Sequence, residues 1–82
     1  MKAITTKYHG PGNVRGSRIT ASDDDGNRVV SSYDHALNSE GNHAAAARKL
    51  CQKMNWTGSL TGGHIREGMV WVWDDEKNRL TV

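Results

Sequence analysis

The segment HAAAARKLCQKM, from His43 to Met54, is the one stretch of the chain with a helical period, and only one of its sides is apolar. Ala47, Leu50, Cys51 and Met54 fall at i, i+3, i+4 and i+7, which puts them on a single face. Arg48, Lys49, Gln52 and Lys53 take the opposite side, and four consecutive alanines favour the helical state. One helix with one apolar stripe cannot close a core on itself. A second layer has to come from the flanking sequence, and the flanks read as strands.

Lys2 to Tyr8 is rich in Thr, Ile and Tyr and ends at His-Gly-Pro-Gly, so it is expected as a strand. From Ser17 to Ser22 the chain alternates, with Ile19 and Ala21 on one face and Arg18 and Thr20 on the other. DDDGN then supplies a hairpin turn, because Asp-Gly tolerates positive φ, and Arg28 to Tyr33 returns as the partner strand. After the helix, Gly58 to Ile65 and Met69 to Trp73 form a second hairpin closed around Arg66-Glu67-Gly68. Gly62-Gly63 marks a bulge or a close approach of another backbone. Asn38 or Ser39 is the expected N-cap, Glu40 suits the first turn, and Asn55 and Gly58 mark the exit. The tail, 74–82, either frays or adds a short edge strand through RLTV. The expected fold is therefore α+β and a single domain over 1–82. Its order is β-β-β-α-β-β, an antiparallel sheet of four to five strands with one helix packed on one face.

Apolar volume is scarce in this fold. Residues of the hydrophobic set make up 35% of the chain and phenylalanine is absent, so Trp56, Trp71 and Trp73 must supply much of the buried area. In MVWVWD, Met69, Trp71 and Trp73 share one strand face and Val70 and Val72 the other. If the valines lie under the helix, the tryptophans mark a partner surface; the shortage of other apolar residues favours the core for at least Trp71.

No run approaches the roughly 20 apolar residues that span a bilayer, so no membrane partner is expected. MKAITTKYHG lacks the apolar stretch of a secretory leader, and a lone cysteine cannot form an internal disulfide. Both features lead to the expectation of a cytoplasmic protein. Asn55-Trp56-Thr57 fits the glycosylation pattern by chance in that setting.

His35, His43, Cys51, an aspartate and a glutamate gather between Tyr33 and Trp56, which invites a metal or catalytic reading. Spacing argues against it. His43 and Cys51 are eight residues apart, about 12 Å along a helix, whereas zinc ligands lie within about 2.3 Å of one ion. Cys51 on the apolar face is expected as a small core group with a raised pKa. There is no G-x-S-x-G elbow, and the paired carboxylates occur in turns such as Asp23-Asp24-Asp25, so neither enzymatic activity nor a cofactor is expected. The loop GPGNVRG places its third glycine, Gly16, one residue late for either Gly-rich phosphate motif and leads into a strand. Arg15 and Arg18 with free backbone N–H groups could nonetheless hold a phosphate or a partner's carboxylate. Net charge is +2, but Lys2, Lys7, Arg15 and Arg18 all precede the first acid, Asp23. Tyr33 to Asn42 is a polar lead-in longer than a cap requires, and so a candidate recognition loop.

The succession TKYHGPGNVRGSRI, SDDDGNRVV and YDHALNSEGNHAAAARKLCQKMNW resembles a group of short uncharacterised proteins of bacteria, phages and mobile elements. More loosely, the size and the β-β-β-α-β-β order look like some small phage anti-CRISPR proteins. That resemblance implies a non-enzymatic protein, a monomer or homodimer, that binds a host protein or ribonucleoprotein complex and inhibits nucleic-acid-targeting defence by covering its surface. The partner-binding candidates are Arg15, Arg18, Tyr33, His35 and Asn38, which lie in or beside loops. The alternative is a small RNA- or DNA-binding domain using the basic helix face and the N-terminal strands, through Lys2, Lys7, Arg48, Lys49 and Lys53.

Overall fold

The computed structural model describes residues 2–12, 16–74 and 81. Three strands come first: β1 (Ala3–His9), β2 (Arg18–Ser22) and β3 (Arg28–Ser32). The helix α1 (Ser39–Met54) follows, then β4 (Leu60–Ile65) and β5 (Gly68–Trp73). The strands form one antiparallel sheet in the order β3-β2-β1-β5-β4, so the N-terminal strand is its centre. The β-β-β-α-β-β order and the α+β layering are those expected from the sequence.

Local chemistry fixes the turns. The β2–β3 hairpin is closed by Asp23, whose carboxylate accepts from the Asp25 and Asn27 backbone N–H groups and from Asn27 Nδ2. Gly26 takes the positive φ of 92° that this turn needs. The Asn27 bond, above all, holds the Asp23 carboxyl below its ordinary pKa. The Arg66-Glu67 turn joins Ile65 to Gly68, which face each other in register.

The helix starts earlier than its alanine run indicates. Asn38 is the N-cap, its Oδ1 accepting from Gly41 N at 2.7 Å, so Asn42 and His43 are inside the helix and buried. The lead-in to the helix is therefore 33–38 and not 33–42. Asn55 ends the helix in the left-handed region at φ 58°, its N–H turned back to Cys51 and Gln52 carbonyls.

Ile4, Ile19, Ala21, Ala46, Ala47, Leu50 and Cys51 form the buried core between the layers. Trp71 and Trp73 belong to the helix side: both pack against this core and remain partly exposed, while Val70 and Val72 point to the other face. No bulge interrupts β4, which pairs continuously with β5 from Leu60 to Ile65. What approaches Gly62 is the Trp71 ring, not a backbone: a Cβ there would lie 2.5 Å from the indole. The helix lies over β1, β2 and β3 and meets β5 only at its margin. A cleft of about 290 Å³ remains beside it, lined by Ala47, Cys51, Trp56, Leu60 and Trp71. The proposed RLTV edge strand falls, apart from Thr81, outside the described residues. No helix among the described residues is long and apolar enough to cross a membrane.

Candidate functional site

The helix covers one face of the sheet; among the described residues no element covers the other. Register determines what that open face carries. Arg18 pairs with His9 and with Ser32, Thr20 with Lys7 and Val30, and Ser22 with Thr5 and Arg28. Directly paired residues share a face, so Lys7, His9, Arg18 and Arg28 all stand on the open side. Strand alternation adds Thr61, Gly63 and Ile65 from β4, and Val70 and Val72 from β5. No strand residue on this face is acidic. Among the described residues Lys7, Arg18 and Arg28 make no ion pair; the salt bridges run from Lys2 and His64.

The charges are close enough to act on one another. His9 Nε2 lies 3.1 Å from the Thr20 hydroxyl. Its pKa is lowered, first by partial burial and then by the positive charges of Arg18, Lys7 and Arg28. The neutral imidazole thus sits within a cationic patch.

At the Arg18 end the open face runs into a groove of about 620 Å³. Ser17, Arg18, Val30, Ser32, Tyr33 and His35 line it. Tyr33 is held edge-on by Tyr8 at 5.6 Å between centroids, and His35 leans on Tyr33 at 5.2 Å. The Tyr8 hydroxyl donates to Ser17 Oγ. The lead-in loop is pinned from behind by Asn42. Its Oδ1 accepts from Asp34 N at 2.7 Å, and its Nδ2 donates to the carbonyls of Asp34, Leu37 and Asn38. Tyr33 and His35 are therefore presented on an ordered segment, although no strand or helix contains them.

Arg18, Tyr33 and His35, expected as partner-binding residues, come together in this groove. Asn38 is occupied as the helix cap, and Arg15 lies outside the described residues. The basic residues considered for nucleic acid separate. Lys2 is held by Asp23 and Asp25 at 3.8 and 3.2 Å and lies 4.5 Å over the Trp56 ring. Lys49 and Lys53 donate to the Val30 and Arg28 carbonyls, on the edge strand β3, at 2.8 and 3.1 Å. Arg48 rims the cleft beside the helix, and Lys7 alone of that set stands on the open face. Arg28 and His9 were missed by loop-based reasoning. The signal was available, since a hairpin closed at DDDGN places Arg28 on the same side as Arg18.

The other titratable groups are engaged elsewhere. His43 Nδ1 is 2.8 Å from the Thr6 hydroxyl inside the core, and burial, with the charge of nearby His64, lowers its pKa. Burial pushes the Cys51 thiol up, so it stays protonated at neutral pH and packs as an apolar group. Among the described residues no three His, Cys, Asp or Glu side chains converge on a point that could hold a metal. No family model, curated protein or solved structure matches the chain.

Proposed function

We propose that the protein is a non-enzymatic binding module that docks on a nucleic-acid-bearing host complex and blocks it by covering its surface. The observation that carries this reading is the open face, acid-free among the described strand residues, on which Lys7, Arg18 and Arg28 lie beside a groove lined by Tyr33 and His35. A face with one sign of charge, which makes no ion pair among the described residues, attracts an anionic surface and steers its approach. The ordered aromatic pair at its end offers contact area at low entropic cost.

The test is capture from a bacterial lysate on immobilised protein, run beside an Arg18→Glu/Arg28→Glu variant. The reading expects a discrete nucleoprotein complex retained by the wild type and lost from the variant. Equal retention by both proteins, with the variant folded by circular dichroism, would remove the open face from the function.

A further inference from the structure

The anionic group that the open face contacts can be specified further, on the premise that this face is the docking surface. Three positive side chains are spread across three adjacent strands. Arg18 and Arg28 stand four residues apart in sheet register, roughly 13 Å along the strands. Lys7 lies on β1, opposite Thr20 and one step inside Arg18. A compact anion would require both arginines to reach toward one point, whereas an extended chain of phosphates meets each of them where it stands. The groove beyond Arg18 adds a different chemistry. It is open to solvent and lined by Val30, Ser32, Tyr33 and His35, with the Tyr33 and His35 rings 5.2 Å apart. Aromatic faces next to a cationic track suit unpaired bases, because every base has a face to stack.

Duplex nucleic acid fits less well. Side chains are delivered to a major groove by a helix or a two-stranded ribbon. Here the helix lies on the opposite side of the sheet, and two of its lysines are turned onto the β3 edge. A paired base also cannot enter the Tyr33–His35 groove without leaving its stack.

We propose that the open sheet face binds a single strand of nucleic acid, its phosphates tracked by Arg18, Lys7 and Arg28 and one base lodged against Tyr33 and His35.

Fluorescence anisotropy on the full chain tests this with three labelled probes: a mixed-sequence single-stranded 12-mer as RNA or DNA, the same sequence as a duplex, and polyglutamate. The single strand should bind tightest, with log affinity falling against log salt at a slope of about −2 for three phosphate contacts. Arg18→Gln/Arg28→Gln should flatten that slope to below about −1. His35→Ala, an exposed substitution that leaves the fold intact, should weaken the single strand on the order of tenfold while leaving the slope unchanged. Equal or tighter binding of the duplex or of polyglutamate would overturn the proposal. So would an absence of oligonucleotide binding at low salt. In that last case, arginine-dependent capture of a host complex that survives nuclease would leave the broader reading intact with a protein ligand. Loss of that capture as well would remove both.

Discussion

His43 Nδ1 lies 2.8 Å from the hydroxyl of Thr6, joining the first turns of the helix to the central strand of the sheet. The same hydroxyl accepts from Trp71 Nε1 at 3.1 Å and donates to the Met69 carbonyl at 3.4 Å. With its single proton given to Met69, it receives both ring N–H groups, and three elements meet on one oxygen atom. Thr6→Val keeps the shape of the side chain and leaves the buried His43 donor and the partly buried Trp71 donor unpaired. We expect a loss of about 1–3 kcal/mol in urea denaturation. For a domain of this size each kcal/mol corresponds to a Tm shift of about 4–8 °C.

Acid should weaken the same contact. Burial lowers the His43 pKa, so the ring is neutral in the folded chain, while the unfolded chain takes up a proton near the ordinary 6.5. Between the two pKa values the unfolded state holds more protons, so stability is fully present above about pH 6.5 and falls as the pH drops through the lower, folded-state value. Denaturation midpoints measured from about pH 7 to pH 5 should decline for the wild type and decline less for His43→Gln. His9 is shifted in the same direction but is less enclosed, and His9→Gln serves as the control with the smaller effect.

The Trp71 ring occupies the space above Gly62, where a Cβ would come within 2.5 Å of it. Gly62→Ala must displace a ring that is fixed at its other end by the Thr6 bond. A cost of about 1–3 kcal/mol is expected, typical of forcing volume into a packed site. Gly63→Ala, where an added Cβ meets nothing within 4 Å, should cost much less. Comparing the two denaturation curves separates this contact from the general cost of altering a glycine pair.

Elements set by neighbouring residues are legible in the sequence, and contacts between distant ones are not. The helix, both hairpins and the Asp23 turn rest on signals within a few residues of one another, such as the alanine run, Asp-Gly and the strand alternation. The Thr6–His43–Trp71 junction joins residues 37 and 65 positions apart, and its register depends on which strand lands at the centre of the sheet. Gly62-Gly63 reads as a bulge or a backbone approach, and only β4–β5 register shows that what approaches Gly62 is the Trp71 side chain. Charge was readable as composition and not as placement. Lys49 and Lys53 lie on the polar side of the helix, yet both are bonded to β3, while Arg28, in a strand, joins the exposed patch.

Those two lysines cover outward carbonyls of an edge strand, a position open to pairing with another chain. Lys49→Gln/Lys53→Gln should change stability by no more than about 1 kcal/mol, since both groups are exposed. It should nonetheless increase self-association, read by light scattering against concentration. The same variant should leave binding through the open face nearly unchanged. A large loss of oligonucleotide affinity would move the binding surface to the helix.

Asn42 determines whether the groove exists at all. Its four bonds to Asp34, Leu37 and Asn38 hold the segment that carries Tyr33 and His35. Asn42→Ala removes them from a buried position, leaving the Asp34 N–H and up to three carbonyls to find water, at a cost of about 1–3 kcal/mol. Asn42→Asp keeps an acceptor for Asp34 N but sets a negative charge against three carbonyl oxygens, and should be at least as damaging. The injury should be local. Hydrogen exchange should accelerate at the Asp34, Ala36 and Leu37 amides, whose bonds all close through this turn, while β1 and β5 amides keep their protection. Binding through Tyr33 and His35 should fall with the loop, and binding through Lys7 and Arg28 should persist as a weaker remainder that still falls with salt.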